Sequence, residues 1–141
     1  MKTEHTRAAN ARIEPRIILS AEDYERLSSL ARAARSRMPN LAADLAEEVG
    51  RARVLAKGAN PKHNVCMNSE VEFRDDTTGK IRRVTLVYPE EADISQRKVS
   101  VLTPVGTALI GLRTGDSITW DTPGGEIRKL TVLAVREHHP T

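Results

Sequence analysis

The chain has 141 residues and a net charge of +3, with 22 Lys and Arg against 19 Asp and Glu. Its single cysteine excludes an intramolecular disulfide framework, and aromatic residues are only 3% of the chain, so any core must be built from aliphatic side chains. No apolar run approaches the roughly 18 residues that span a bilayer, and the start of the chain lacks the apolar section of a signal peptide. We therefore expect a cytoplasmic protein without a membrane segment.

The N-terminal segment, residues 1–16, mixes charged and small residues without periodicity, and we expect it to be a mobile tail. A first helix is predicted after it, with Ser20 as the N-cap and acidic residues in the first turn, where they meet the positive end of the helix dipole. Its apolar stripe recurs at steps of three and four residues: Tyr24, Leu27, Leu30, Ala31 and Ala34.

A second helix is predicted after the break at Met38-Pro39, with Asn40 as its cap. Its apolar stripe consists of Leu41, Leu45, Val49, Ala52 and either Leu55 or Ala56. Two apolar stripes joined by a short turn predict an antiparallel helical hairpin, a short coiled coil, over residues 17–58. Gly58 then marks the end of the hairpin, and Pro61 lies in a predicted linker at residues 59–64.

From Val65 onward, apolar residues alternate with polar ones, which is the period of a β-strand. Strands are predicted from these apolar positions: Val71 and Phe73; Ile81, Val84, Leu86 and Tyr88; Val99 and Val101; Ile118 and Trp120; and Leu130, Val132 and Ala134. Residues 75–79 form a predicted hairpin loop between the first two strands. Residues 65–141 are therefore predicted to form an antiparallel sheet packed against one short helix, and the whole chain belongs to the α+β class.

The short helix is predicted within TPVGTALIGLRTGDSITWDTPGG, residues 103–125. Thr103 can cap this helix, and Pro104 suits its first position because the missing amide hydrogen would have no partner there. Gly111 or Gly115 then ends it.

This stretch resembles the end of the C-terminal domain of bacterial Gre-type transcript cleavage factors. The resemblance extends back to cover roughly residues 65–136, through Met67-Asn68-Ser69, Val71, Phe73 and Thr85-Leu86-Val87-Tyr88-Pro89. It implies that the C-terminal domain has the fold of FK506-binding (FKBP-like) prolyl isomerases. It also implies RNA polymerase as the partner, because this domain of Gre-type factors docks on a coiled coil at the rim of the polymerase secondary channel. The positions that match the docking segment are Ser100, Thr103, Pro104 and Val105.

In Gre-type factors, acidic residues at the tip of a long N-terminal hairpin help to hold a catalytic magnesium ion. The predicted tip here is basic and offers no carboxylate: Arg35, Ser36, Arg37, Met38, Pro39 and Asn40. The nearest acids, Asp44 and Glu47-Glu48, lie a turn or more down the second helix. A helix of about 17 residues would also rise only roughly 25 Å, which is short for this family. Despite the resemblance, we therefore expect no metal site at this tip and no cleavage of RNA.

Other enzyme chemistry finds little support in the sequence. Of the four histidines, His5, His138 and His139 lie near the chain ends and His63 lies in the predicted linker, where a catalytic geometry is hard to hold. Cys66 has no partner for tetrahedral zinc. The few aromatic residues argue against the apolar pocket of a prolyl isomerase. We therefore predict no catalytic residues, no metal and no other cofactor.

Three functional hypotheses remain. The leading one is a non-catalytic, monomeric transcription regulator that binds RNA polymerase near the secondary channel and competes with cleavage factors. The second is a miniature cleavage factor with Asp44 or Glu47 as the metal ligand. The third is a module that binds DNA or RNA through basic side chains, although no aromatic residues alternate with them to stack on bases. Its arginines would be Arg35, Arg37, Arg51 and Arg53.

Overall fold

The computed structural model describes residues 15–121 and 124–136. The first part of the chain contains β1 (Ile18–Leu19), α1 (Ala21–Ala33), α2 (Pro39–Gly50) and β2 (Arg53–Val54). The predicted tail, apart from its last two residues, lies outside the described residues. Within the described ranges, every helix is too short or too polar to cross a membrane.

Helix α1 begins where the sequence predicts. The Ser20 Oγ accepts the N–H of Asp23 at 3.1 Å, so that one amide of the first turn is satisfied by the cap. The predicted stripe faces the core: Leu27, Ala31 and Ala34 are buried, and Tyr24 and Leu30 are partly buried against the same cluster.

The predicted cap of the second helix is wrong. Helix α2 starts at Pro39, with Met38 in the N-cap position and no hydrogen bond from a capping side chain. Asn40 is consequently a helical residue of the first turn rather than the cap. The fixed φ of proline, which suits the first helical position, outweighs the capping preference of asparagine one residue later.

The predicted end of the second helix is also wrong, because a strand pairing replaces its last turn. Helix α2 ends at Gly50, and β2 pairs in parallel with β1. The N–H of Arg53 donates to the carbonyl of Ile17, and the N–H of Leu55 donates to that of Leu19, both at 2.9 Å. Helix α2 therefore has only 12 residues and rises about 18 Å, and helix α1, with 13 residues, rises about 20 Å.

The rest of the described chain forms a five-stranded sheet with the order β5-β4-β3-β7-β6 and one helix. The strands are β3 (Glu70–Asp75), β4 (Ile81–Val87), β5 (Lys98–Ser100), β6 (Ser117–Asp121) and β7 (Ile127–Arg136), and the helix is α3 (Pro104–Leu109). The molecule is therefore α+β, as predicted, and three of the four strand pairings are antiparallel.

Strand β5 departs from the predicted antiparallel sheet, because it runs parallel to β4. Between the two strands the chain makes two short 3-10 turns, Pro89–Glu91 and Ile94–Gln96, and returns to the end of β4. The connection is long enough to carry the chain back along the strand, as a parallel neighbour requires. Apolar alternation identified the strand but carried no information on its direction.

The inward face of β7 differs from the predicted one at a β-bulge. The register between β3 and β7 shifts between Glu72 and Phe73, so that Val71 lies opposite Val135. Val135 packs on the core, as Leu130 and Val132 do, and Ala134 does not. An extra residue in one strand moves every later side chain to the opposite face, which explains the misplaced alanine.

A single apolar core joins the two parts of the chain. Helices α1 and α2 are called the helix pair below. Their side chains Leu27 and Leu45 belong to the same buried cluster as Val71, Leu86 and Leu130 of the sheet. All five side chains are completely buried. The helix pair is therefore packed on the sheet domain through shared aliphatic side chains.

Gly111 lies where the N-terminal segment, the linker and α3 meet. Its carbonyl oxygen accepts the N–H of Ile18 at 3.2 Å and the Nδ2 of Asn64 at 2.9 Å, and its own N–H donates to the carbonyl of Val65 at 2.9 Å. Its φ is +81°, and a Cβ at this position would lie only 2.6 Å from the Cβ of Ile17. Both its conformation and its surroundings therefore require glycine.

Gly111→Ala should lower the free energy of unfolding by about 2–4 kcal/mol, because it combines an unfavourable φ with overlap against Ile17. Gly115→Ala is the matched control: Gly115 also has a positive φ, but no atom lies within 4 Å of the added methyl group. The control should lose only about 1 kcal/mol, the cost of the conformation itself. Urea denaturation measures both losses, and equal values would contradict the packing role of Gly111.

Candidate functional site

The β5–α3 junction, residues 100–105, is held by hydrogen bonds from its own side chains. The Oγ1 of Thr103 accepts the N–H of Gly106 at 3.0 Å and donates to the carbonyl of Ser100 at 2.7 Å. The Oγ of Ser100 accepts the N–H of Leu102 at 2.9 Å. The predicted cap of the short helix is therefore confirmed, and the same threonine also ties the helix to the preceding strand.

The four residues predicted to dock on a partner all lie at this junction. Pro104 is exposed, whereas Ser100, Thr103 and Val105 are partly exposed. Behind them Gly106 is buried, and a Cβ there would overlap the backbone at Ser100. The junction thus presents a small, uncharged surface on a backbone with little freedom to move.

The predicted tip comprises the turn after α1 and the first two residues of α2, and all of its residues are exposed: Arg35, Ser36, Arg37, Met38, Pro39 and Asn40. The connection is closed by a hydrogen bond of 2.8 Å from the N–H of Met38 to the carbonyl of Ala34. Arg35 and Pro39 also line a groove between the two helices. The tip is therefore compact and positively charged, without a carboxylate of its own.

The acids that the cleavage hypothesis would use lie on α2, below the tip. Glu48 pairs with Arg51, whose Nη2 lies 2.7 Å from the Glu48 Oε1. Asp44 and Glu47 are exposed on the same helix. Among residues 15–121 and 124–136, no three metal-binding side chains come together. The described residues therefore offer no cluster of three carboxylates, and magnesium held by only one or two carboxylates needs further oxygen ligands.

The arginines of the nucleic-acid hypothesis do not form one patch. Arg35 and Arg37 belong to the tip, whereas Arg51 and Arg53 follow the far end of α2, which is about 18 Å long. Arg51 is also engaged within the molecule, since its Nη1 donates to the carbonyl of Pro15 at 2.6 Å. The spacing divides the positive charge between two ends of the helix pair.

A polar contact between the helix pair and the sheet domain was not apparent from the sequence. The Asp23 Oδ2 accepts the N–H of Met67 at 3.1 Å. The guanidinium of Arg26 lies 4.0 Å from the ring centroid of Tyr88, within cation–π distance. Asp23 looked like an ordinary first-turn acid, and only the fold brings residues this distant in sequence into contact.

Burial is the main influence on the pKa values of Asp23 and Tyr88. It raises the pKa of Asp23 above its usual 3.8, partly offset by the hydrogen bond from Met67. Burial, reinforced by the charge of Asp23, also raises the pKa of Tyr88, whose hydroxyl has no hydrogen-bond partner among the described residues. The charged carboxylate is therefore held here at a cost that the hydrogen bond only partly offsets.

Comparison with known proteins identifies the class of this fold. The family model described as transcription elongation factor, GreA/GreB, C-term matches residues 60–137, and one described as Rnk N-terminus matches residues 15–55. A solved structure, the prokaryotic transcription elongation factor GreA/GreB from Nitrosomonas europaea, superposes with a TM-score of 0.66 and 39% identity, covering 87% of this chain and 99% of that chain. The chain therefore belongs to the GreA/GreB transcription elongation factor family.

Within that family, a particular relative is similar over nearly its whole length. The regulator of nucleoside diphosphate kinase of Escherichia coli is 42% identical over 127 residues, which are 89% of this chain and 92% of the relative. The transcription elongation factor GreA of Syntrophobacter fumaroxidans is 34% identical over 93 residues, but the match covers only 59% of that protein. The match to the regulator thus includes both parts of this chain and nearly all of the relative, whereas the match to GreA covers a smaller share of both proteins.

Two substitutions of Asp23 separate its hydrogen bond from its charge. Asp23→Ala should lower the free energy of unfolding by about 1–3 kcal/mol at pH 7, because the N–H of Met67 loses its acceptor. Asp23→Asn keeps an acceptor without a buried charge, and it should be at least as stable as the wild type. Thermal or urea denaturation at pH 7 checks the order, and a larger loss in the Asn variant than in the Ala variant would contradict it.

The stability of the wild type and that of Asp23→Asn should also differ in their dependence on pH. Because the pKa of Asp23 is raised in the folded state, the carboxyl favours folding when protonated, and this contribution is lost as the pH rises through the folded pKa. The wild type should therefore lose stability relative to Asp23→Asn as the pH increases from about 3.8, until the carboxyl is fully ionised. Denaturation series at several pH values measure the difference, and a constant or opposite trend would refute it.

Proposed function

We propose that this protein is a non-catalytic transcription regulator that binds RNA polymerase through the β5–α3 junction. Its membership of the GreA/GreB family supports polymerase as the partner. The observation that carries the proposal is the combination of this family's C-terminal domain with a short helix pair whose tip, residues 35–40, contains no carboxylate.

The junction suits a docking surface because its shape is fixed before any partner binds. Thr103 and Ser100 hold the turn by hydrogen bonds, and the buried Gly106 allows the helix to lie close against the backbone at Ser100. A preorganised surface loses little conformational entropy on binding. Pro104 and Val105 add apolar area at its exposed edge.

The helix pair suits competition without cleavage. A chain docked at the rim of the secondary channel would exclude a cleavage factor that uses the same rim. Its helices rise only about 18–20 Å, and the tip presents Arg35 and Arg37 where magnesium would need carboxylate oxygen. The proposed outcome is occupancy of the polymerase without hydrolysis of RNA, and it requires no metal or other cofactor.

The proposal includes several finer assignments. We assign an FKBP-like fold to residues 65–141, a short helical coiled coil to the N-terminal unit at residues 17–58 and a linker to residues 59–64.

The protein would act as a monomer in the cytoplasm, where bacterial RNA polymerase works. Its relative is named for nucleoside diphosphate kinase, and we propose that any effect of this chain on that kinase arises through transcription. A weak contact of the tip arginines with DNA or RNA is compatible with this role.

Pro104→Asp tests the docking surface. The substitution adds a charge to the exposed edge, while an acid in the first turn of α3 is favourable to the helix dipole, so that the fold should persist. We expect at least tenfold weaker binding to purified RNA polymerase, about the effect of 1.4 kcal/mol. Fluorescence anisotropy of the labelled full chain measures the affinity.

Thr114→Asp is the matched control, because Thr114 is also exposed but lies outside the junction. It should bind polymerase with wild-type affinity, and wild type and control should both displace GreA. Failure of the wild-type chain to bind polymerase would refute the proposed function. Equal weakening by the two substitutions would refute the junction as the docking surface.

A cleavage assay decides the alternative function. The wild-type chain, added with magnesium to stalled and backtracked transcription complexes, should leave the RNA length unchanged. GreA in the same assay provides the positive control. Shortening of the RNA that is lost in Asp44→Ala or Glu47→Ala would establish the miniature cleavage factor instead.

A further inference from the structure

Strand β4 has an open edge along its first half. Strand β3 pairs with β4 from Ile81 to Thr85, but β5 pairs with its other side only from Thr85 to Val87. Within residues 15–121 and 124–136, nothing pairs with the outer side of residues 81–84. This segment is called the β4 edge below.

The hydrogen bonds farther along β4 show which backbone groups point outward. The N–H of Leu86 donates to the carbonyl of Ser69 on the β3 side, whereas the N–H of Thr85 donates to the carbonyl of Arg97 on the β5 side. Backbone groups alternate sides along a strand. The N–H and C=O of Ile81 and Arg83 therefore point to the open side, where an added strand could pair with them.

Two exposed apolar side chains flank the β4 edge. Ile81 is 58% exposed at its start, and Ile94 is 89% exposed in the turn that precedes β5. That turn closes the far end of the edge, since Arg97, at its end, pairs with Thr85. Exposed apolar side chains at the two ends of a row of unpaired backbone groups are the kind of surface that an added strand covers when it binds.

The charges at this edge select the occupant. Lys80, Arg82, Arg83 and Arg97 are all exposed there. The nearby acids reduce this charge only in part: the Arg83 Nη2 lies 3.9 Å from the Glu72 Oε2, and the carboxylate of Asp93 accepts hydrogen bonds from Ser95. A second copy of the same edge would bring like charges opposite one another, which is unfavourable.

We propose that the β4 edge binds an extended, acidic segment of a partner protein as an additional strand of the sheet. The backbone at Ile81 and Arg83 supplies the hydrogen bonds, and the basic side chains pair with carboxylates of the segment. Apolar side chains of the segment cover Ile81 and Ile94. This surface differs from the β5–α3 junction, and the proposal does not depend on polymerase binding.

The first test uses the full chain, labelled with ¹⁵N, and a blocked synthetic peptide of alternating Glu and Val residues. On addition of the peptide, the amides of Ile81 and Arg83 should shift and exchange with solvent more slowly, whereas the amide of Arg82, which faces β3, should change little. A peptide with Lys in place of Glu should not bind. No binding of the acidic peptide, equal binding of both peptides, or changes confined to another surface would overturn the proposal.

The second test separates the backbone from the charge. Arg83→Pro removes an N–H that faces the open side, and a proline is tolerated at such an edge position. Arg83→Ala removes the same charge and keeps the N–H. We expect the Pro variant to bind the acidic peptide at least tenfold more weakly than the Ala variant, and equal affinities would overturn strand addition. If thermal denaturation shows that the Pro variant is unfolded, the amide measurements on the wild-type chain decide the question alone.

Discussion

The close contact of Gly111 with Ile17 is the constraint on which the arrangement of the whole molecule depends. The carbonyl of this one glycine bonds to the first strand and to the linker through Ile18 and Asn64, and its lack of a side chain allows the N-terminal segment to lie against it. The helix pair is thereby held on the sheet domain, and Asp23 and Arg26 add polar contacts to Met67 and Tyr88 on the same boundary. The two parts that match separate family models share one core in this molecule.

A fixed helix pair has consequences for the proposed mechanism. The junction that we propose for docking begins at the end of β5, and helix α3, which Thr103 caps and Pro104 begins, leads directly to Gly111. A partner that binds the junction therefore binds a surface connected to the base of the helix pair by a few residues of rigid backbone. The short basic tip would then occupy a defined position relative to the docked domain. In the proposed mechanism, competition would require only that the chain occupy the polymerase, and a tip without carboxylates would be sufficient for it.

Local patterns predicted much of this structure and tertiary contacts decided the rest. The caps at Ser20 and Thr103 depend on residues within one helical turn, so they were visible in the sequence. The early end of α2, the parallel direction of β5 and the bulge that brings Val135 inward depend on pairings between separate strands, which the local pattern of residues does not encode. For the candidate site, the sequence indicated the junction and the tip through a family resemblance. It did not reveal the Asp23–Met67 contact or the open β4 edge, because both exist only once the sheet has formed.

Site-specific photocrosslinking to RNA polymerase tests the central claim most directly. A photoreactive residue at position 104 of the full chain should crosslink to the polymerase, and an excess of a cleavage factor such as GreA should abolish the crosslink. The same residue at position 114 should give none. A crosslink from position 104 that persists in the presence of saturating GreA would contradict competition for one surface, and the absence of any crosslink from position 104 would contradict docking through the junction.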